Sequence, residues 1–188
     1  MQGVYRVRQG GRELLESFVA APGPMGWRYF GRVHPADSEE ELFTVDYVVD
    51  AQWGLLRYRL LHQSGTQIVA TQVTGGIEVL TGRPGEERTE TVAGASAVWS
   101  SSPCSLLVVD RLLAASGRSD VAAVRIGAAL EPELITVRIE RQGSRPLVTP
   151  TGNSEAELLG VMLDGERFEA LIRSDLPLFA RGWFDLVA

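Results

Sequence analysis

The sequence predicts a mainly β fold: a duplicated antiparallel curved sheet, or incompletely closed barrel, with one helix packed on its concave face. Three observations carry this expectation. Apolar and polar residues alternate with period two in run after run, the pattern of strands that bury one face. Glycine-containing turns punctuate the runs, at Gly10-Gly11, Gly65, Gly75-Gly76, Gly143-Ser144 and Asp164-Gly165. One segment, 101–117, abandons alternation for helical spacing.

In chain order, strands are predicted at 3–9, 12–20 and 26–33. Segment 41–50 sets Phe43, Val45, Tyr47 and Val49 on one face against Thr44, Asp46 and Asp50, which read as a solvated face. Segment 53–62 sets Leu56, Tyr58 and Leu60 against Arg57 and Arg59. Runs at 66–73, 76–80 and 86–92 follow. In the helical segment, Ser102 is the expected N-cap and Pro103 the first helical residue, where a missing N–H costs nothing. Leu106, Val109 and Leu113 form a stripe, and Gly117 suits a left-handed stop. Leu107, Val108 and Leu112 make the helix apolar nearly all round, so it should be buried. Beyond it, strands are expected at 119–127, 133–142, 155–163, 166–173 and 180–187. In these, Ile135, Val137 and Ile139 oppose Thr136, Arg138 and Glu140, and Phe168, Ala170 and Ile172 oppose Arg167, Glu169 and Arg173.

The two ends of the chain echo each other. Arg8–Leu14 (RQGGREL) matches Arg141–Leu147 (RQGSRPL) at five of seven positions. Glu41-Leu42-Phe43-Thr44-Val45 matches Glu157-Leu158-Leu159-Gly160-Val161 with strand parity kept. The expectation is one domain over 1–188, built from two repeated halves, roughly 1–100 and 118–188, joined by helix 102–116.

Composition excludes several kinds of chemistry. The 188 residues are 45% hydrophobic and 22% charged, the balance of a globular chain. Acidic residues outnumber basic ones, 24 to 18, for a net charge of −6, and no basic tract invites nucleic acid. All the basic residues are Arg, so lysine Schiff bases and a Walker A lysine are absent. Two histidines and one cysteine cannot assemble a His- or Cys-rich metal site, so neither metal nor cofactor is expected. Cys104 has no intrachain disulfide partner, no secretory leader is visible, and no apolar run is long enough for a transmembrane segment. A cytoplasmic location is the resulting expectation.

No nucleophile elbow or Gly-rich phosphate loop is present. Cys104, His34 in a Pro-containing loop and His62 at a strand end read as structural groups without catalytic partners. Two kinds of residue suit a binding site instead. Arg57 and Arg59 share one strand face and offer forked donors to a polar head. Aromatic residues near strand ends, Trp27, Tyr29, Trp53, Tyr58, Trp99 and Trp183, suit the border between an apolar cavity and water. These eight are the candidate ligand-binding residues.

The stretches TVDYVVDAQWGLLRYRL (44–60), SSSPCSLLVVDRLLAASGRSDVAAVRI (100–126) and LDGERFEALIRSDLPLFARGWFDL (163–186) resemble the bacterial glycolipid-binding family. The likeness covers nearly the whole chain. It implies an incompletely closed antiparallel barrel similar to periplasmic lipoprotein carriers, with an apolar concave face. The expected function is non-enzymatic binding of an amphipathic small molecule, a glycolipid or related lipid. Two alternatives stay open: an enzyme acting on such a molecule with His62 and a carboxylate as acid–base pair, and a protein-interaction module whose sheet face is filled.

Overall fold

Alternation becomes ladder directly in the first half of the chain. The computed structural model describes residues 1–24, 26–126, 131–149 and 152–187. Its first eight strands are β1 (Gln2–Gln9), β2 (Arg12–Gly23), β3 (Gly26–Pro35), β4 (Phe43–Asp50), β5 (Leu55–His62), β6 (Gln67–Val73), β7 (Gly76–Gly82) and β8 (Arg88–Ala93). Each pairs antiparallel with the next. The chain then crosses to the far edge of the same sheet, where β9 (Ala97–Trp99), helix α1 (Cys104–Ser116) and β10 (Asp120–Ile126) form a crossover with β9 and β10 parallel. A second meander, β11 (Pro132–Thr149), β12 (Gly152–Leu163), β13 (Glu166–Arg173), β14 (Leu176–Ala180) and β15 (Phe184–Leu186), returns to the middle. There β15 pairs with β1, so among the described residues fifteen strands make one mixed, mainly antiparallel sheet with β8 and β9 at its edges.

One face of this sheet is the core. Tyr5 and Val7 of β1, Leu14, Phe18 and Ala20 of β2, and Val45, Tyr47 and Val49 of β4 are buried on it. The helix lies against the same face, with Leu106, Leu107, Val108 and Val109 at most 1% exposed. It touches β9, β10, β11 and β14, and its Cys104 and Leu107 face Tyr5, Phe18 and Tyr29 across a narrow space. A helix reached from both flanks of one sheet requires the sheet to curl around it. The curl brings β8 to the start of β11, where Arg88 pairs with Glu131 at 3.6 Å, but no ladder joins β8 to β9 among the described residues.

Two glycine positions fix local geometry. Gly10 and Gly11 both have positive φ, 58° and 76°, and close the two-residue β1–β2 hairpin with Gln9 opposite Arg12. Gly117, at φ 67°, ends α1 in the left-handed conformation the sequence predicts.

The structure departs from the sequence reading in several places. Leu56 does not share the core face with Tyr58 and Leu60: a bulge opposite Val48 and Val49 shifts the parity, so Leu55 is buried at 3% while Leu56 is 39% exposed. Gly143-Ser144 is not a turn between strands. β11 runs through it as one strand with a register shift between Arg141 and Ser144, so this stretch differs from the Gly10-Gly11 hairpin it matches in sequence. Ser102 does not cap the helix with its side chain. Pro103 holds the cap position, α1 begins at Cys104, and the Ser102 hydroxyl is engaged elsewhere. Of the run expected at 180–187, only Ala180, the last residue of β14, and β15 are strand, with a turn over 181–183 between them; most of β14 precedes the run, and β9 is a strand where none was expected. His34 lies in β3 rather than a loop. The expected strand end at residue 127 falls outside the described residues.

Candidate functional site

The sheet ends in an open mouth where β1 turns into β2. This cavity has a volume of about 640 Å³. Its apolar wall comes from inward-facing Leu14 of β2, Phe43 at the start of β4, Leu60 of β5 and Ile126 at the end of β10, with Leu42 from the β3–β4 connection. Leu14, Leu60 and Ile126 are 4–5% exposed, so the wall is continuous with the core. Its polar groups are Gln9, Arg12, His62, Ser64 and Ser101. Among the described residues no carboxylate lines it. A second hollow, about 630 Å³, shares Arg12, Leu14 and Leu42 and adds Glu13 and Asp37.

His62 is oriented by its own turn. Its Nδ1 accepts from the Ser64 backbone N–H at 3.1 Å and lies 2.8 Å from Ser64 Oγ. In the neutral ring the acceptor role of Nδ1 assigns the proton to Nε2.

Behind the mouth the interior holds a buried carboxyl. Glu16 occupies an inward position between Leu14 and Phe18 and is 1% exposed. Its Oε1 accepts from the Tyr29 hydroxyl at 2.7 Å and the Ser102 hydroxyl at 2.5 Å. Gly31 makes room for it: a Cβ there would stand 2.6 Å from Oε1. Burial pushes the Glu16 carboxyl up to about 7, against the two hydroxyl donors that favour its charged form. Ser102 follows Ser101, so the carboxyl ties the segment at the mouth to the wall of the sheet. Sequence reasoning passed over Glu16, although a carboxylate in the apolar register of Leu14, Phe18 and Ala20 is a visible signal. Asp110, buried on α1, accepts from Arg141 at 2.9 Å outside this mouth.

The eight predicted site residues fall into three groups, and none of them lines the mouth. Trp27, Tyr29, Tyr58 and Trp99 are buried in the core at 8%, 2%, 0% and 4% exposure. Where Trp27 and Tyr29 face Cys104 and Leu107, the space is too small for a water molecule. Trp53 and Trp183 are half-buried, and Trp183 Nε1 donates to the Ser101 carbonyl of the mouth at 2.8 Å. Arg57 and Arg59 lie on the outer face. Arg57 and Arg28 both donate to Asp46, at 2.6 and 2.7 Å, and Arg59 to Gln67 at 3.3 Å. Asp46, expected to be solvated, is 8% exposed because those two guanidiniums cover it.

The aromatic candidates do come together, as packing. Trp53, Trp27, Tyr29, Phe18, Tyr5, Phe184, Trp183 and Trp99 form an unbroken file with successive ring centroids 4.7–6.1 Å apart. Tyr58 sits edge-on to Tyr47 at 5.4 Å, apart from that file.

Among the described residues no group of three His, Cys, Asp or Glu side chains is placed to hold a metal ion, and no helix is long and apolar enough to cross a membrane. Comparison with protein-family models, curated proteins and solved structures returns no match.

Proposed function

We propose that the protein binds an amphipathic ligand, a glycolipid or related lipid, without chemically transforming it. The observation that carries this reading is the mouth: a cavity of about 640 Å³ with an apolar wall running into the core and polar groups beside it. An acyl chain fits such a wall, and a polar head fits its rim. The reading takes the sheet as an incompletely closed, internally duplicated barrel, with one half on each side of α1. A cytoplasmic location belongs to the same proposal and rests on Cys104 having no intrachain disulfide partner.

The enzyme alternative requires a carboxylate beside His62. Among the described residues His62 is paired to Ser64 and no carboxylate lines the cavity, which favours binding over acid–base chemistry. The filled space between Tyr5, Phe18, Tyr29 and Cys104 favours the interaction-module reading for the helix-covered part of the sheet. The mouth separates the two. Each methylene buried there is worth up to about 0.8 kcal/mol, roughly fourfold in affinity. Calorimetric titration with single-chain amphiphiles of increasing length should show affinity rising, then levelling once the cavity is full. Leu42→Asp, on the wall but outside any strand, should weaken every member of the series. A response independent of chain length, with no lipid retained in a native mass spectrum, would leave the interaction module as the better reading.

A further inference from the structure

We infer that the mouth selects amphiphiles whose head is an anion, with Arg12 holding the head and the wall of Leu14, Phe43 and Leu60 holding the chain. This rests on the mouth being a lipid site and names the class of head it takes. The chain carries 24 acidic residues against 18 basic ones, yet among the described residues no carboxylate lines this cavity and the one charged side chain on it is a guanidinium. Most arginines on this sheet are engaged: Arg28 and Arg57 by Asp46, Arg8 by Asp185, Arg125 by Glu133. Arg12 makes no ion pair or side-chain hydrogen bond among the described residues. Its neighbour Glu13 pairs with Arg6 at 3.3 Å instead.

Local structure fixes where that free cation stands. Arg12 is the first residue after the tight Gly10-Gly11 hairpin, held in register opposite Gln9. His62, from the end of β5, stands on the same cavity. With Nδ1 taken by Ser64, its Nε2–H is the proton left for a guest. A guanidinium fork and an imidazole N–H beside an apolar wall match an oxyanion on an acyl chain, whether carboxylate or phosphate. A cationic head would meet Arg12 as a like charge.

The test is calorimetric titration of the whole chain with dodecanoate, dodecyl phosphate and dodecanol at neutral pH and low salt. Both anions should bind about tenfold or more tightly than the alcohol, the gain of charge-assisted hydrogen bonds to one guanidinium. Arg12→Gln should bring both anions down to the level of dodecanol, whereas Arg12→Lys should keep part of their advantage. Either order of the two anions supports the proposal and identifies the head chemistry. Equal binding of dodecanol and the anions, or a preference that survives in Arg12→Gln, would overturn anion selection while leaving the mouth as a lipid site. If none of the three binds, the lipid reading of the mouth falls with it.

Discussion

Glu16 shows how much one residue can report about this fold. A carboxyl that keeps its proton to about pH 7 when folded, against an ordinary value of 4.5, opposes folding once it must ionise inside. Between those values the unfolded chain has released the proton and the folded chain has not. Stability is therefore full below pH 4.5 and is lost as pH rises through 7, by about 3 kcal/mol in total. Glu16→Gln keeps the oxygen that Tyr29 and Ser102 bond and removes the titration. Urea unfolding at acid and at mildly alkaline pH should show the difference between variant and parent moving toward the variant by about that amount. A difference that does not change with pH would mean Glu16 ionises as it does in water. The parity of Glu16 is readable in the sequence, but its donor Ser102 stands 86 residues away and no local pattern announces it. Arg57 failed for the same reason. Its strand face was legible, but Asp46 claims it across the sheet, 11 residues back in sequence.

The elements themselves were largely legible, because a strand that buries one face writes period two into the chain. What escaped was shorter or more local than that signal. β9 has three residues, too few to alternate, and the bulge at Leu56 reverses parity within a run that still looks regular. β9 is also an edge strand, and Tyr47 of β4 satisfies its outer side. The Tyr47 hydroxyl donates to the Val98 carbonyl at 3.1 Å and accepts from the Val98 N–H at 3.0 Å. One phenol thus serves both backbone groups that a neighbouring strand would have paired. Tyr47→Phe keeps the ring against Tyr58 but orphans both groups in a dry interior. The expected loss is about 2–4 kcal/mol in denaturant unfolding, more than a typical exposed hydroxyl would give. A variant as stable as its parent would show that water reaches β9 and that this edge is open.

At the scale of the whole molecule the sheet is held together at one seam. β15 contributes Phe184, fully buried, and pairs Tyr5, Arg6 and Val7 with Leu186, Asp185 and Phe184. A chain ending at Ala180 would lose that strand and leave the outer side of β1 unpaired at the centre of the sheet. Size-exclusion chromatography should find it associated or unfolded, because a strand with a free edge and an apolar face recruits other chains. A monomer with the parent's melting temperature would show the seam to be dispensable. The sequence displayed the two strand-rich flanks but not this junction, since alternation describes each strand alone and is silent about its neighbour.

The same seam has to wait for the ribosome. Arg8 meets Asp185 only after 177 further residues have been made, which at about 5–20 residues per second is roughly ten to thirty-five seconds. The β1–β8 meander can zip up as it emerges, each hairpin closing on the last. Throughout that interval β1 faces the cell with half its backbone unclaimed. The nascent protein is therefore most exposed to misassociation at its first strand, and any chaperone that guards its synthesis has the most to do there.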